Sequence, residues 1–222
     1  MTYNELSNRV QFHLWTILPF GVALLLIAFF LYGCQQKPAE KQAPKETITT
    51  ENLQTAYLKQ LKYEFMYSKF VTSAEKQKNV QMANLYRAIA RSEQIHADNH
   101  AALLRSRGFE PRQPQYDSIA VGTIVQSLKM SINSEDIETE SMFPNLIRTA
   151  GLEKDTVAMV QFQHTMDADQ RQADLLKEAS DHNGAIAKTP YFVCTGCGYI
   201  VTSDKTDECP VCHAKKDKFE KI

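Results

Sequence analysis

What this sequence lacks narrows it before any motif is read. There is no excess of basic charge: 25 lysines and arginines stand against 26 aspartates and glutamates, for a net charge of −1. That balance excludes the broad cationic surface of a nucleic-acid binder. Cysteines are not scattered through the chain. Four of the five lie between Cys194 and Cys212, and the fifth, Cys34, stands alone, which is not the pattern of a disulfide-stapled scaffold. Strand-like alternation of apolar and polar residues is missing before Tyr191, so most of the chain does not read as a sandwich or barrel. Apolar residues are not in short supply, at 43% of the chain, and that fraction supports a packed core rather than global disorder.

One long apolar run is present. Residues 14–33, LWTILPFGVALLLIAFFLYG, carry no charge, and about 20 helical residues suffice to span a bilayer core. The run ends in Leu31-Tyr32-Gly33-Cys34 and is followed by polar Gln35-Gln36-Lys37-Pro38. This is similar to a bacterial lipoprotein signal, which implies cleavage before Cys34, lipid on its thiol and a chain facing the periplasm or cell exterior. An uncleaved anchor fits the same length. Either way, residues 1–33 are expected to attach the protein to a membrane. Residues 34–50 read as a polar tether containing Pro38 and Pro44.

From Glu51 the apolar positions recur at helical spacing. A first helix is predicted over residues 51–78, where glycine and proline are absent. A second is predicted over 79–107, ended by Gly108. A third is predicted over 118–149 with Pro144 as an internal kink or break, and a fourth over 153–182 with Val157, Val160, His164, Asp167 and Gln170 along one face. Four such helices pack as a bundle over residues 51–182. Their inner faces hold polar residues that a core does not tolerate unaided. Glu93 and His96 are i and i+3 on the second helix, and Glu135 and Glu138 are i and i+3 on the third. Buried carboxylates require a partner or a cation, and Glu-x-x-His with facing glutamates is the ligand pattern of a di-iron carboxylate bundle.

Residues 183–222 form the last segment, with Cys194-Thr-Gly-Cys197 and Cys209-Pro-Val-Cys212. Each C-x-x-C turn aims two thiolates at one point, and two turns close a tetrahedron for one metal ion, iron or zinc. The stretch YFVCTGCGYIV…ECPVCHAKKDKFEKI, together with Glu93-Gln-Ile-His96 and Glu135-Asp-Ile-Glu138, resembles the rubrerythrin family. That resemblance implies an all-α, four-helix ferritin-like bundle followed by a rubredoxin-like knuckle. It implies one iron on Cys194, Cys197, Cys209 and Cys212, and up to two irons on Glu93, His96, Glu135, Glu138 and Asp167. The family's first-helix glutamate is replaced by Gln60, and the histidine of its fourth-helix pair by Gln170.

The resemblance also implies an oxidoreductase that reduces hydrogen peroxide with electrons from a donor reductase. It implies a head-to-tail homodimer in which one chain's knuckle lies beside its partner's bundle. A site shifted by one turn, using Glu138, His100 and His164, is the alternative placement of bundle metal. The alternative functions are a membrane-tethered electron carrier and a metal-binding protein with a non-catalytic bundle.

Overall fold

The computed structural model describes residues 45–116 and 118–222, which belong to one compact unit. The predicted signal and most of the tether lie outside the described residues. Among the described residues, no helix is long and apolar enough to cross a membrane.

Helix α1 runs Ile48–Lys76, three residues earlier than the sequence pattern suggested. The early start follows from its cap. The Thr47 hydroxyl accepts from the Thr50 amide, and the Glu153 carboxylate accepts from the Ile48 and Thr49 amides at 3.1 and 2.9 Å. These bonds satisfy donors that a helix N-terminus leaves free. Helix α2, Val80–Ser106, is capped by Asn79. The third bundle helix is built from three pieces. Helix α3 spans Ile124–Ile137 behind a Thr123/Gln126 capping box, a π-helical turn follows at Glu138–Met142, and helix α4 spans Phe143–Leu152. Of the kink or break expected at Pro144, the structure shows the break. Pro144 falls in the first turn of α4, and the wide turn before it supplies a bond from the Phe143 amide to the Glu138 carbonyl. Helix α5, Thr156–Asp181, is capped by Asp155, which also pairs with Arg107.

Helix α1 packs chiefly on α2, and α5 packs on α3 and α4. Two apolar clusters fill the bundle. One contains Tyr67, Phe70, Met82, Tyr86, Ile89, Leu128 and Leu176; the other contains Leu53, Leu104, Phe143 and Phe162. A polar layer of Gln60, Glu93, His96, Glu135, Glu138, Asp169 and Gln172 is also fully buried in the bundle.

The chain then forms a small antiparallel sheet of β1 (Phe192–Cys194), β2 (Ile200–Val201) and β3 (Phe219–Lys221), in the order β2-β1-β3. Val193 pairs with Ile200 on one side and Glu220 on the other. Tyr191, Val193 and Ile200 belong to the same apolar cluster as Tyr86 and Leu176. The knuckle is thus sealed onto the bundle of its own chain by shared core. Burial of each such side chain contributes about 1.5–3 kcal/mol.

Candidate metal centres

The sheet and its turns bring Cys194, Cys197, Cys209 and Cys212 together, with their sulfurs all within 4.8 Å of one another. The Cys194–Cys212 and Cys197–Cys209 pairs stand 3.6 and 3.5 Å apart. A tetrahedron with metal–sulfur bonds of about 2.3 Å has edges of roughly 3.8 Å, so the spacing suits one ion. Gly198, at φ +82°, follows Cys197, and its amide donates to the Cys194 carbonyl at 2.8 Å.

The bundle cluster contains two converging groups, Glu93–His96–Asp169 and Glu135–Glu138–Asp169, that share Asp169. Burial, and next the Glu93 carboxylate nearby, push the Glu135, Glu138 and Asp169 carboxyls well above the usual carboxylate range. Tyr67 donates its hydroxyl to Glu135 Oε1. Both oxygens of Glu93, Oε2 of Glu135 and Oδ2 of Asp169 are buried without a hydrogen-bond partner.

His96 gives an independent argument for a cation. Its Nε2 lies 3.0 Å from the Cys197 carbonyl oxygen, which can only accept, so Nε2 carries the hydrogen. Nδ1 then faces oxygens: Asp169 Oδ1 at 3.3 Å, Gln60 Oε1 at 3.4 Å and Glu93 Oε2 at 3.8 Å. With the carboxylates ionised, a lone pair there would meet only other lone pairs. A positive charge resolves the conflict, and with four carboxylates converging, divalent metal ions fit it. Gln60 lines the cluster and places its amide 3.4–3.5 Å from both oxygens of Glu138.

Glu93, His96, Glu135 and Glu138 lie in the cluster; four other residues singled out in the sequence, Asp167, Gln170, His164 and His100, do not. Asp167 is half-buried and accepts from Gln163 at 2.8 Å, outside the cluster. Asp169 occupies the place expected of it. Gln170 is exposed, and Gln172 lies inside instead. His164 is half-buried and belongs to neither converging group found among the described residues. His100 is fully buried and packs against Phe143 and Phe162, with ring centroids 6.5 and 5.6 Å away, and its Nδ1 meets the Gln161 amide nitrogen at 2.9 Å. The one-turn-shifted site is therefore not formed.

A ferritin-like bundle with a carboxylate–histidine cluster, joined to a four-thiolate knuckle, defines a two-centre non-haem metal redox protein. Comparison with known proteins gives the family. The profile described as "Rubrerythrin" matches residues 35–104 and 51–180, and "Rubrerythrin, rubredoxin-like domain" matches 192–220. The chain belongs to the rubrerythrin family, whose members are non-haem iron oxidoreductases, and iron is the family's metal at both centres. Among its relatives is Rubrerythrin-2 of Clostridium acetobutylicum, 28% identical over 186 residues, or 79% of this chain and 97% of that protein. Nigerythrin of Nitratidesulfovibrio vulgaris is 28% identical over 171 residues, or 77% of this chain and 85% of that protein. A structure titled as fully reduced, all-ferrous nigerythrin superposes with a TM-score of 0.72 at 27% identity, covering 83% of this chain and 91% of that one. A bacterioferritin of Desulfovibrio desulfuricans, 19% identical with a TM-score of 0.58, shares the bundle fold.

Proposed function

We propose that this chain reduces hydrogen peroxide, with the knuckle supplying electrons to the bundle cluster. The observation that carries this reading is the position of His96. One ring nitrogen bonds the carbonyl of the knuckle ligand Cys197, and the other faces Asp169 and Glu93. A single imidazole therefore spans the two centres.

Iron, when bound, supplies the one-electron changes. The protein's part is positioning and proton control. Glu93, Glu135, Glu138 and Asp169 present oxygens that have no other partner or only weak ones. Reduction of one peroxide to two waters takes two electrons and two protons. Tyr67 keeps its hydroxyl proton against Glu135, because burial and then the Glu135 charge hold its acidity far below that of an ordinary phenol. The apolar clusters around the site limit water.

The test uses iron-loaded, chemically reduced protein. Peroxide should restore the visible absorption of the oxidised four-thiolate centre, and Glu93→Gln or Glu138→Gln should slow that return by at least about 100-fold, in the range expected when groups that act on the reacting centre are removed. If both variants recover as fast as wild type, the bundle takes no part, and the electron-carrier reading stands in its place.

The proposal includes a donor reductase, a homodimer and membrane attachment through lipid at Cys34. Lipid mass on Cys34, lost in Cys34→Ala, checks the attachment.

A further inference from the structure

The knuckle touches the bundle cluster along a second line, and this one passes through no residue that the sequence singled out. Ser92 is fully buried one turn before His96 on α2. Its hydroxyl donates to the Gly198 carbonyl at 2.7 Å. Because a hydroxyl has one hydrogen, its remaining contacts must be accepted, and they are: Gln172 Nε2 donates to Ser92 Oγ at 3.2 Å, and His96 Nε2, which carries its own hydrogen, lies 3.4 Å away. The second hydrogen of the same amide goes to Asp169 Oδ1 at 3.1 Å. The polarity is fixed from end to end. Rotating the amide would set its oxygen against the Asp169 carboxylate, so the assignment of N and O is settled by the neighbours.

The consequence falls on Asp169, the carboxylate shared by both converging groups. Gln172, with His96 opposite, engages Oδ1 and leaves buried Oδ2 without a hydrogen-bond partner. The amide thereby sets which oxygen faces the cluster, while its own rotamer is set by Ser92 and the knuckle carbonyl.

We propose that Ser92 and Gln172 are positioning residues that couple the seated knuckle to the metal affinity of the bundle through Asp169. This rests on the bundle binding metal, as proposed above. Outer-shell partners of this kind hold ligands in orientation, and their loss costs about 10–100-fold in affinity.

The test titrates Mn(II), a hard ion that selects oxygen-rich sites over thiolates, into full-length protein with iron in its knuckle. Free Mn(II) and the bound-ion spectrum are both followed by electron paramagnetic resonance. Ser92→Ala should weaken binding about 10-fold and alter the bound spectrum, although Ser92 touches no carboxylate of the cluster and meets His96 only at Nε2, 3.4 Å away on the knuckle side. Gln172→Ala should do the same. Because the two act along one line, the double variant should bind no more weakly than Gln172→Ala alone; a merely structural role would give additive losses. Unchanged affinity in Ser92→Ala, or full additivity, overturns the coupling. Wild type that binds no Mn(II) outside the knuckle overturns the underlying metal reading and the coupling with it, and is told apart by failing before any variant is made.

Discussion

His100 lies one helical turn beyond the ligand candidate His96 on the same helix, but its environment leaves it neutral. Burial, and then the neighbouring His96, push its pKa down to about 3; Gln161 meets its Nδ1, two phenylalanine rings pack around it, and Nε2 is buried without a hydrogen-bond partner. The sign of its pH effect follows. A folded value below the unfolded value of about 6.5 means that neutral His100 contributes stability above that pH. The contribution is lost as pH falls from about 6.5 toward 3, by about 1.4 kcal/mol per unit. His100→Gln is neutral throughout, so the stability gap between wild type and variant in urea unfolding should move in the variant's favour across that window. A gap independent of pH would mean that His100 is protonated in the fold. Gly198 gives a second prediction at this scale. It has φ +82°, and a Cβ there would stand 2.3 Å from His96 Nε2 and 2.7 Å from Ser92 Oγ. Gly198→Ala should therefore cost at least about 1–2 kcal/mol from backbone alone, and should loosen the knuckle from the bundle. Faster amide hydrogen exchange across β1 and β2, with the four-thiolate absorption intact, would register that loosening.

Helix α5 is the element whose register separates a correct ligand set from an incorrect one. Val157, Val160, His164, Asp167 and Gln170 form one helical stripe, but Val157 and Val160 are exposed. The buried stripe is Ala158, Phe162, Thr165, Asp169, Gln172, Leu176 and Ala179. These residues follow a strict four-three alternation that was available in the sequence and was obscured by polar residues on both faces. By contrast, Glu93/His96 and Glu135/Glu138 were legible because each pair stands at i and i+3 on its helix and matches a motif of the family the chain resembles. The π-helical turn that begins at Glu138 was not legible, since it depends on how Pro144 is accommodated by the preceding turn. The four-helix bundle and the knuckle followed from helical periodicity and thiolate spacing alone. The register makes a direct prediction: Asp169→Asn should lose at least the roughly 10- to 100-fold in bundle-metal affinity that outer-shell changes cost, while Asp167→Asn should bind as wild type does. Isothermal titration with Mn(II) distinguishes the two.

For the whole molecule, the question is which bundle a knuckle serves. The resemblance to the rubrerythrin family implied a head-to-tail pair with the knuckle of one chain beside its partner's bundle, the short linker requiring only that the knuckle dock near a bundle. In the structure the knuckle rests on its own bundle. Cys197, Gly198 and Gly196 carbonyls accept from His96, Ser92 and Asn99, and Arg91 pairs with Glu220 at 2.8 Å. Tyr191, Val193 and Ile200 complete the seat from the apolar side. A tether from Asp181 to Phe192 holds the knuckle at an effective concentration of roughly millimolar or above, so a partner's knuckle competes poorly for the same place. The outcome is read by mixing a knuckle-dead chain, Cys197→Ser, with a bundle-dead chain, Glu93→Ala plus Glu138→Ala. If transfer runs within one chain, confirmed heterodimers should reduce peroxide no faster than either parent, while wild type remains active. Recovery toward half of wild-type activity in the heterodimer would show instead that each knuckle serves its partner, and the cis seat would then not be the working one. The same samples carry a control, since the bundle-dead parent keeps an intact four-thiolate centre whose absorption reports that its knuckle is folded and loaded.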